Sequence, residues 1–536
     1  MEKNHKKNKS IIIILLVIFL GGCFDLQENP ISIVTPDLYF EKLSDVETAL
    51  MGAYSYFYGD AGYGRQFTTA LALLDDICDI IDIGTNVERR NMNHFKTDPA
   101  CPMIWSFWPQ LYKVVNAANT AISGLEKITI TDQKKANELE AEGRMLRTLV
   151  HFDFVRLFGD IPYMDFAVTD PKAVVDMSRT PVSEIYPKLI EDCLYGIQNL
   201  PDKRPNDIRC RPTKGSAKTM LAYIYLTLGD YANAAKYAVE VINERANYGY
   251  ELMPDYTNLW AGRAMTQDVA EYIWTIDFRE VTNDELWAPM TGVRNGAAGR
   301  TELGGWSVVG PARGYLEMFD PGDHRIESTF ILEAKINTKT TPSTIVLAPY
   351  TDFWYTCDIA RPHFGKYRKY AGGSDGEGRA SGRNFNIYRL AEVYLMAAEA
   401  LAEVSWPANE TQALGYLNKI RERARNGNPA AAPADYPTGM SKTAFINAVL
   451  KERMLEFGGE WKRWWDIQRR KLGAEAFGQN TIEYFKTIPN ASAPNDWVKT
   501  FPHDPSMWGV KNYLLPIPQE ERSRATNMTQ NPGYRD

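Results

Sequence analysis

The sequence predicts a mostly α-helical protein built from packed helical hairpins, with a loop-rich segment laid over them. Three observations carry this. Apolar residues recur every three or four positions over long stretches at both ends of the 536-residue chain, the spacing of one helix face. Gly229-Asp230 splits one such stretch into two helices, the second rich in small alanines. Between about residues 250 and 385 the helical period is lost, while glycines and tryptophans accumulate.

The first element is an export leader, residues 1–22. Lys3, Lys6, Lys7 and Lys9 precede an unbroken apolar run, Ile11 to Leu20. Basic start, apolar stretch and small residues at the cut describe a secretory signal. The run is too short to span a bilayer, which takes ~20 residues. Leu20-Gly21-Gly22-Cys23 resembles a bacterial lipobox, so Cys23 is expected to receive a diacylglycerol and become the new N-terminus. Two acyl chains anchor a protein stably without a spanning helix. Residues 23–40 then read as a helix-poor tether.

Residues 41–250 form the N-terminal helical part. Ser44-Asp45-Val46-Glu47 predicts a capping box, followed by the face Val46, Ala49, Leu50, Ala53, Tyr54 and Phe57. Trp105, Trp108, Leu111, Tyr112, Val115, Ala118 and Ile122 form a second face. A third begins at Thr180 as cap and Pro181 at the first helical position. It continues through Ile185, Leu189, Cys193 and Ile197. Residues 219–228, the Gly229 stop, the Asp230 cap and residues 231–242 make a tetratricopeptide-like hairpin. The pattern returns in the C-terminal part, residues 386–536, at 390–401, 413–424 and 444–457. About four such pairs are expected to stack, each burying the face its neighbour leaves open.

Residues 251–385 are expected to form an irregular, ligand-facing subdomain. Seven glycines lie between Gly292 and Gly314, and Trp260, Trp274, Trp287, Trp306 and Trp354 are scattered through the segment. Short strand-like pieces such as Tyr272 to Phe278 appear. The tryptophans argue against disorder, and loops on a rigid scaffold are where binding usually sits.

Composition narrows the function. Formal net charge is −7, and loss of the lysine-rich leader makes the mature chain more acidic still. No basic stripe is present, which argues against a nucleic-acid partner. Five cysteines follow Cys23 without metal-type spacing. They read as buried thiols, although a Cys193–Cys210 disulfide is compatible with the sequence. No GxSxG, HExxH or phosphate-loop order occurs, and none of the six histidines has a partner at metal-ligand spacing. Neither a cofactor nor a metal is implied. Asp75, Asp76, Asp79 and Asp82 read as a helix face or loop caps. Arg144, Arg147 and Arg453, with Glu452 and Glu456, read as ion pairs between helices.

Several phrases resemble one known family. Trp105 through Tyr112 to Asn119 is similar to one of its helices. Glu142 to Arg147 with Arg156-Leu157-Phe158-Gly159-Asp160-Ile161-Pro162 is similar to another of its signatures, with Gly143 where alanine is usual. Tyr388 to Leu395 with Ala398-Glu399-Ala400, then Asn418 to Ala424, follow in the family's order. So do Glu452-Arg453, Glu456 and Trp464 to Ile467, and the ending Leu515-Pro516-Ile517-Pro518 with Gln530 to Tyr534. The family is SusD/RagB, surface lipoproteins that partner TonB-dependent importers. The resemblance implies a non-catalytic protein on the outer membrane, facing the exterior. It implies a SusC-like transporter beneath it and an oligosaccharide or polysaccharide as cargo. The RagB branch implies peptides instead, and a surface glycoside hydrolase is the alternative of another class, needing two carboxyl groups about 5–10 Å apart.

A sugar ring offers one apolar C–H face to an aromatic plane, and polar neighbours fix its hydroxyls. Candidate contacts are therefore the loop aromatics Tyr63, Phe95, Trp287, Trp306 and Trp354. Position within the family favours Phe95, Trp287 and Trp306. Gly304-Gly305 before Trp306 allows an exposed tight turn.

Overall fold

The computed structural model describes residues 39–535, apart from 83, 171, 261–268, 279–286, 295–304, 313, 338–343, 352–360, 369–381 and 478–507. The leader, Cys23, most of the tether, Trp354 and Cys357 therefore lie outside the described residues. No described helix is long and apolar enough to cross a membrane.

Helices dominate, and each packs against the next. α1 (Leu43–Ser55) lies on α4 (Pro102–Gly124), and α4 on α5 (Gln133–Phe158). α5 meets α6 (Val182–Asn199), which meets α7 (Lys214–Leu228). α7 and α8 (Tyr231–Asn243) form the tight hairpin expected from the sequence. Gly229 ends α7 with φ +75°, and the Asp230 carboxylate accepts from the Asn233 N–H at the start of α8. α8 then packs on α9 (Leu390–Val404), which carries α10 (Glu410–Ala424) and α11 (Lys442–Glu456). The long intervening segment thus does not interrupt the helical stack.

Two caps sit elsewhere than expected. α1 begins at Leu43, ahead of Ser44, because the Asp45 carboxylate folds back to accept from the Glu41 and Lys42 N–H groups, both at 3.0 Å. At α6, Pro181 is the cap residue rather than the first helical one, and Thr180 bridges Ile161. The orphan Val182 N–H donates instead to Asp160 at 2.8 Å, a cap supplied from a distant turn. Gly143 has a packing role. A Cβ there would lie 2.9 Å from Ile122 and 3.3 Å from Leu50, so glycine lets α5 close on α4 and α1.

The middle of the chain is stitched to both helical parts by two-stranded antiparallel sheets. β1 (Cys78–Ile80), after α2 (Gln66–Leu74), pairs with β3 (Val309–Pro311). β2 (Tyr272–Ile276) pairs with β8 (Phe385–Arg389), directly before α9. β4 (Phe330–Ile331) pairs with β7 (His363–Phe364), and β5 (Glu333–Asn337) with β6 (Ile345–Pro349). One apolar core runs from the N-terminal helices through Trp274, Trp287, Phe330 and Phe364 to the C-terminal helices. Smaller clusters form around Ile331 and Ile336 and around Tyr256 and Trp260.

Buried charge completes the joint. Arg389 donates to Glu271, Glu456 and Glu460. Arg423 pairs with Glu271 and Glu456, and Arg325 with Asp323, Glu452 and Glu456. Arg453 reaches Glu392 on α9 and Asp466 on α12 (Arg463–Arg469). Its partners lie on other helices rather than beside it on α11. Arg144 and Arg147 both bind Asp192, tying α5 to α6. Cys78, Cys101 and Cys193 are free thiols, so Cys193 is not bridged to Cys210.

Candidate binding site

Of the five aromatics expected at a ligand face, four lie within the described residues, and three of these are core side chains. Tyr63 packs edge-on to Phe57 and its hydroxyl donates to Asp153 on α5. Phe95 lies between Phe477 and Trp508. Trp287 is fully buried, donates from Nε1 to Thr68 at 2.6 Å and stacks on Trp461 with centroids 3.9 Å apart. None of the three has a ring face to offer a ligand. The physical reason is that this irregular segment shares the main core, so loss of helical period does not mean exposure.

Trp306 differs. It is half-buried, packed on the core from one side. Its turn is tied down from several directions. Gly305 faces Gly292 so closely that a Cβ would meet that carbonyl at 2.2 Å. Ser307 adopts φ +49°, a left-handed conformation costly for a side-chain-bearing residue. Compensation comes from hydrogen bonds: the Arg294 N–H donates to Ser307 Oγ at 2.7 Å, and His363 Nε2 lies 2.8 Å from the same oxygen. Burial holds the His363 ring well below the usual histidine range, at about 3, so it is neutral at pH 7. The Arg294 guanidinium donates twice to the Trp306 carbonyl, at 2.8 and 3.1 Å. Strain held by surrounding contacts is a common mark of functional turns.

Charged groups line the same region. The Arg65 guanidinium lies 5.9 Å from the Trp306 ring centroid and pairs with Asp60. Arg294 pairs with Asp82 at 2.5 Å. Arg89, on α3 (Val87–Asn93), stands within electrostatic reach of Arg65, Asp60 and Asp82. The aspartates read from the sequence as caps or a helix face are each separately committed. Asp75 accepts from the Ile77 and Cys78 N–H groups, and burial pushes its carboxyl up to about 8. Asp76 binds Arg463, Asp79 binds Arg361, and Asp82 binds Arg294. Among the described residues no group of three His, Cys, Asp or Glu side chains could hold a metal ion.

A separate groove of about 650 Å³ lies between α1, α4 and the segment after Pro162, with Tyr56, Tyr112, Asn116, Met164, Met177 and Met528 on its walls. None of the expected contacts lines it. Sequence reasoning passed over Tyr56 and Tyr112 because both fall in helical register. It also passed over Arg65, Arg89 and Arg294, whose only signal was an arginine in a loop or at a helix edge.

Two family models match the chain. The model described as "SusD family" matches residues 243–534, and the one described as "Starch-binding associating with outer membrane" matches residues 69–226. SusD-like protein P2 of Formosa agariphila is 37% identical over 98% of this chain and 100% of its own. Among solved structures, a SusD homologue from Bacteroides thetaiotaomicron superposes with a TM-score of 0.77 at 22% identity, covering 93% of this chain and 98% of its own. A laminarin-binding SusD-like protein superposes with a TM-score of 0.70 at 22% identity, covering 92% and 100%. The surface glycan-binding protein A of B. thetaiotaomicron, in complex with laminarihexaose, gives 0.70 at 21% identity, covering 91% and 99%. Full-length kinship with one relative, a family match over more than half of the residues and the shared helical architecture agree: this chain belongs to the SusD family.

Proposed function

We propose that the protein is a lipid-anchored glycan-capture protein of the outer membrane, which binds an oligosaccharide or polysaccharide without cleaving it. It passes the cargo to a SusC-like TonB-dependent transporter. The observation that carries this reading is Trp306, an aromatic ring held at the surface on a rigid turn, with hydrogen-bonding side chains around it. Such a ring can cover the apolar face of a sugar at little entropic cost, because its rotamer is already fixed. Asp60 and Asp82 are each engaged by an arginine of this region, which suits a fixed binding surface better than an acid–base pair. Lipid on Cys23 holds the folded part at the membrane, the tether spaces it, and the 251–385 segment faces the ligand. Relatives of the same fold that bind laminarin and laminarihexaose support glycan as the cargo class.

The test is titration of the mature chain against a panel of polysaccharides and peptides, with new reducing ends followed in the same samples. We expect saturable binding to a glycan with no release of ends. Trp306→Ala should weaken it by about tenfold or more, the scale of a lost aromatic contact, at unchanged melting temperature. New reducing ends would assign a hydrolase, and binding to peptides alone would assign the peptide-import branch. Co-purification of a TonB-dependent barrel with the tagged lipoprotein tests the partner.

A further inference from the structure

The charges near Trp306 do not balance in pairs. Arg65 is matched by Asp60, and Arg294 by Asp82. Glu88 is half-buried and held by the Asn86 amide at 2.9 Å. Arg89 is left over. It is only 8% exposed, yet it forms an ion pair with none of these carboxylates. Its hydrogen bond is to a neutral group, Nη1 to the Thr85 hydroxyl at 3.2 Å, and its Nε is buried without a hydrogen-bond partner among the described residues. One turn along the same face of α3, Asn93 is wholly buried with neither amide atom partnered among the described residues. A buried cation without a counter-ion is costly, and proteins rarely retain one without something to match it.

We propose that the surface beside Trp306 takes a glycan bearing an anionic substituent, a carboxylate or a sulfate ester, held by Arg89 together with Arg65. This rests on the glycan-capture reading and narrows its substrate class. The arginine fork suits both groups, since each presents two oxygens in a plane. The Arg89 guanidinium is disfavoured by burial first and by Arg65 second, with Glu88, Asp60 and Asp82 compensating in part; an anion between the two arginines relieves both. The whole chain is acidic, with net charge −7, so this local excess of arginine is a property of the site and not of the composition.

The experiment uses the mature protein and matched ligands by calorimetry. One pair is a polyuronate and its carboxyl-reduced form, another a sulfated polysaccharide and its desulfated form, with laminarin as a neutral reference. We expect one charged ligand to bind about tenfold or more tighter than its neutralised counterpart, the scale of a lost charge-assisted contact. The responding pair identifies the anion. Affinity for it should fall as salt rises, and Arg89→Gln should lose it while Arg89→Lys, which keeps the charge but not the fork, retains only part of it. If Arg89→Gln does not fold, Arg65→Gln, at a more exposed position, carries the same test. Equal affinity for charged and neutralised partners, with Trp306→Ala still defective, would overturn the anion assignment and leave glycan capture standing. Failure of every glycan to bind would overturn both.

Discussion

Gly143 shows how much one missing methyl group can decide. Glycine within a helix is less favourable than alanine by roughly 1 kcal/mol, so propensity alone recommends Gly143→Ala. The added Cβ would press on Ile122 at 2.9 Å and Leu50 at 3.3 Å, and overpacking of this kind costs about 1–3 kcal/mol. We therefore expect Gly143→Ala to lower the urea midpoint. Ile122→Val in the same chain should restore part of it, whereas a raised midpoint in the single variant would sink the packing account. The sequence marked this position only as a departure from the usual alanine. It was less informative about aromatics. Phe95, Trp287 and Trp306 are indistinguishable by loop position, yet two are core and one reaches the surface. The difference lies in distant partners, such as Thr68 for Trp287 and Phe477 for Phe95, which no local pattern announces.

At the scale of elements, helices were legible because each buries one periodic face. The end of α7 and both ends of α8 were read to within a residue, since glycine and aspartate mark the turn chemically, whereas α7 starts at Lys214, ahead of the expected 219. The caps of α1 and α6 were not, because their acceptors, Asp45 and Asp160, are chosen by backbone geometry rather than by order along the chain. The short strands were mostly invisible: two to five residues carry little period, and most of their partners are far away in sequence. The joint between α11 and α12 carries a pH prediction. Burial acts to raise the Asp466 carboxyl, but Arg453 and then Arg469 outweigh it and hold it at about 2. A carboxyl depressed on folding contributes stability in full above its ordinary value, roughly pH 4, and loses that contribution as pH falls through the folded value. Urea midpoints should therefore drop between about pH 4 and 2. Asp466→Asn should be less stable at pH 7 and show a shallower drop; an unchanged slope would remove Asp466 as a source of the acid sensitivity.

For the whole molecule, the buried arginine–glutamate lattice is the organising contact. Arg389 links Glu271, near the start of the irregular segment, with Glu456 and Glu460 beyond its end. Replacing it by methionine takes one cation from three buried carboxylates, and breaking such a buried pair costs about 3–5 kcal/mol. The exposed Lys419–Glu422 pair is the control, and Lys419→Ala should change stability by no more than about 1 kcal/mol. Equal effects in the two variants would show that the lattice is energetically idle. The overall helical class and the place of the irregular segment were legible from periodicity. The lattice was legible only in part, since the sequence showed charges on apolar helices but not their partners. It also bears on how a protein of this architecture can change its diet. β2 and β8 bring the ends of the irregular segment side by side, the arrangement of a cassette that could be exchanged between relatives by recombination. Arg325 and Lys366 travel inside that cassette, however, while Glu452, Glu456 and Glu460 stay behind. A transplanted segment would have to bring arginine and lysine at those two places or leave the recipient with unmatched acid in its core. New specificity is therefore inherited most readily by altering surface side chains around a turn such as that of Trp306, one at a time.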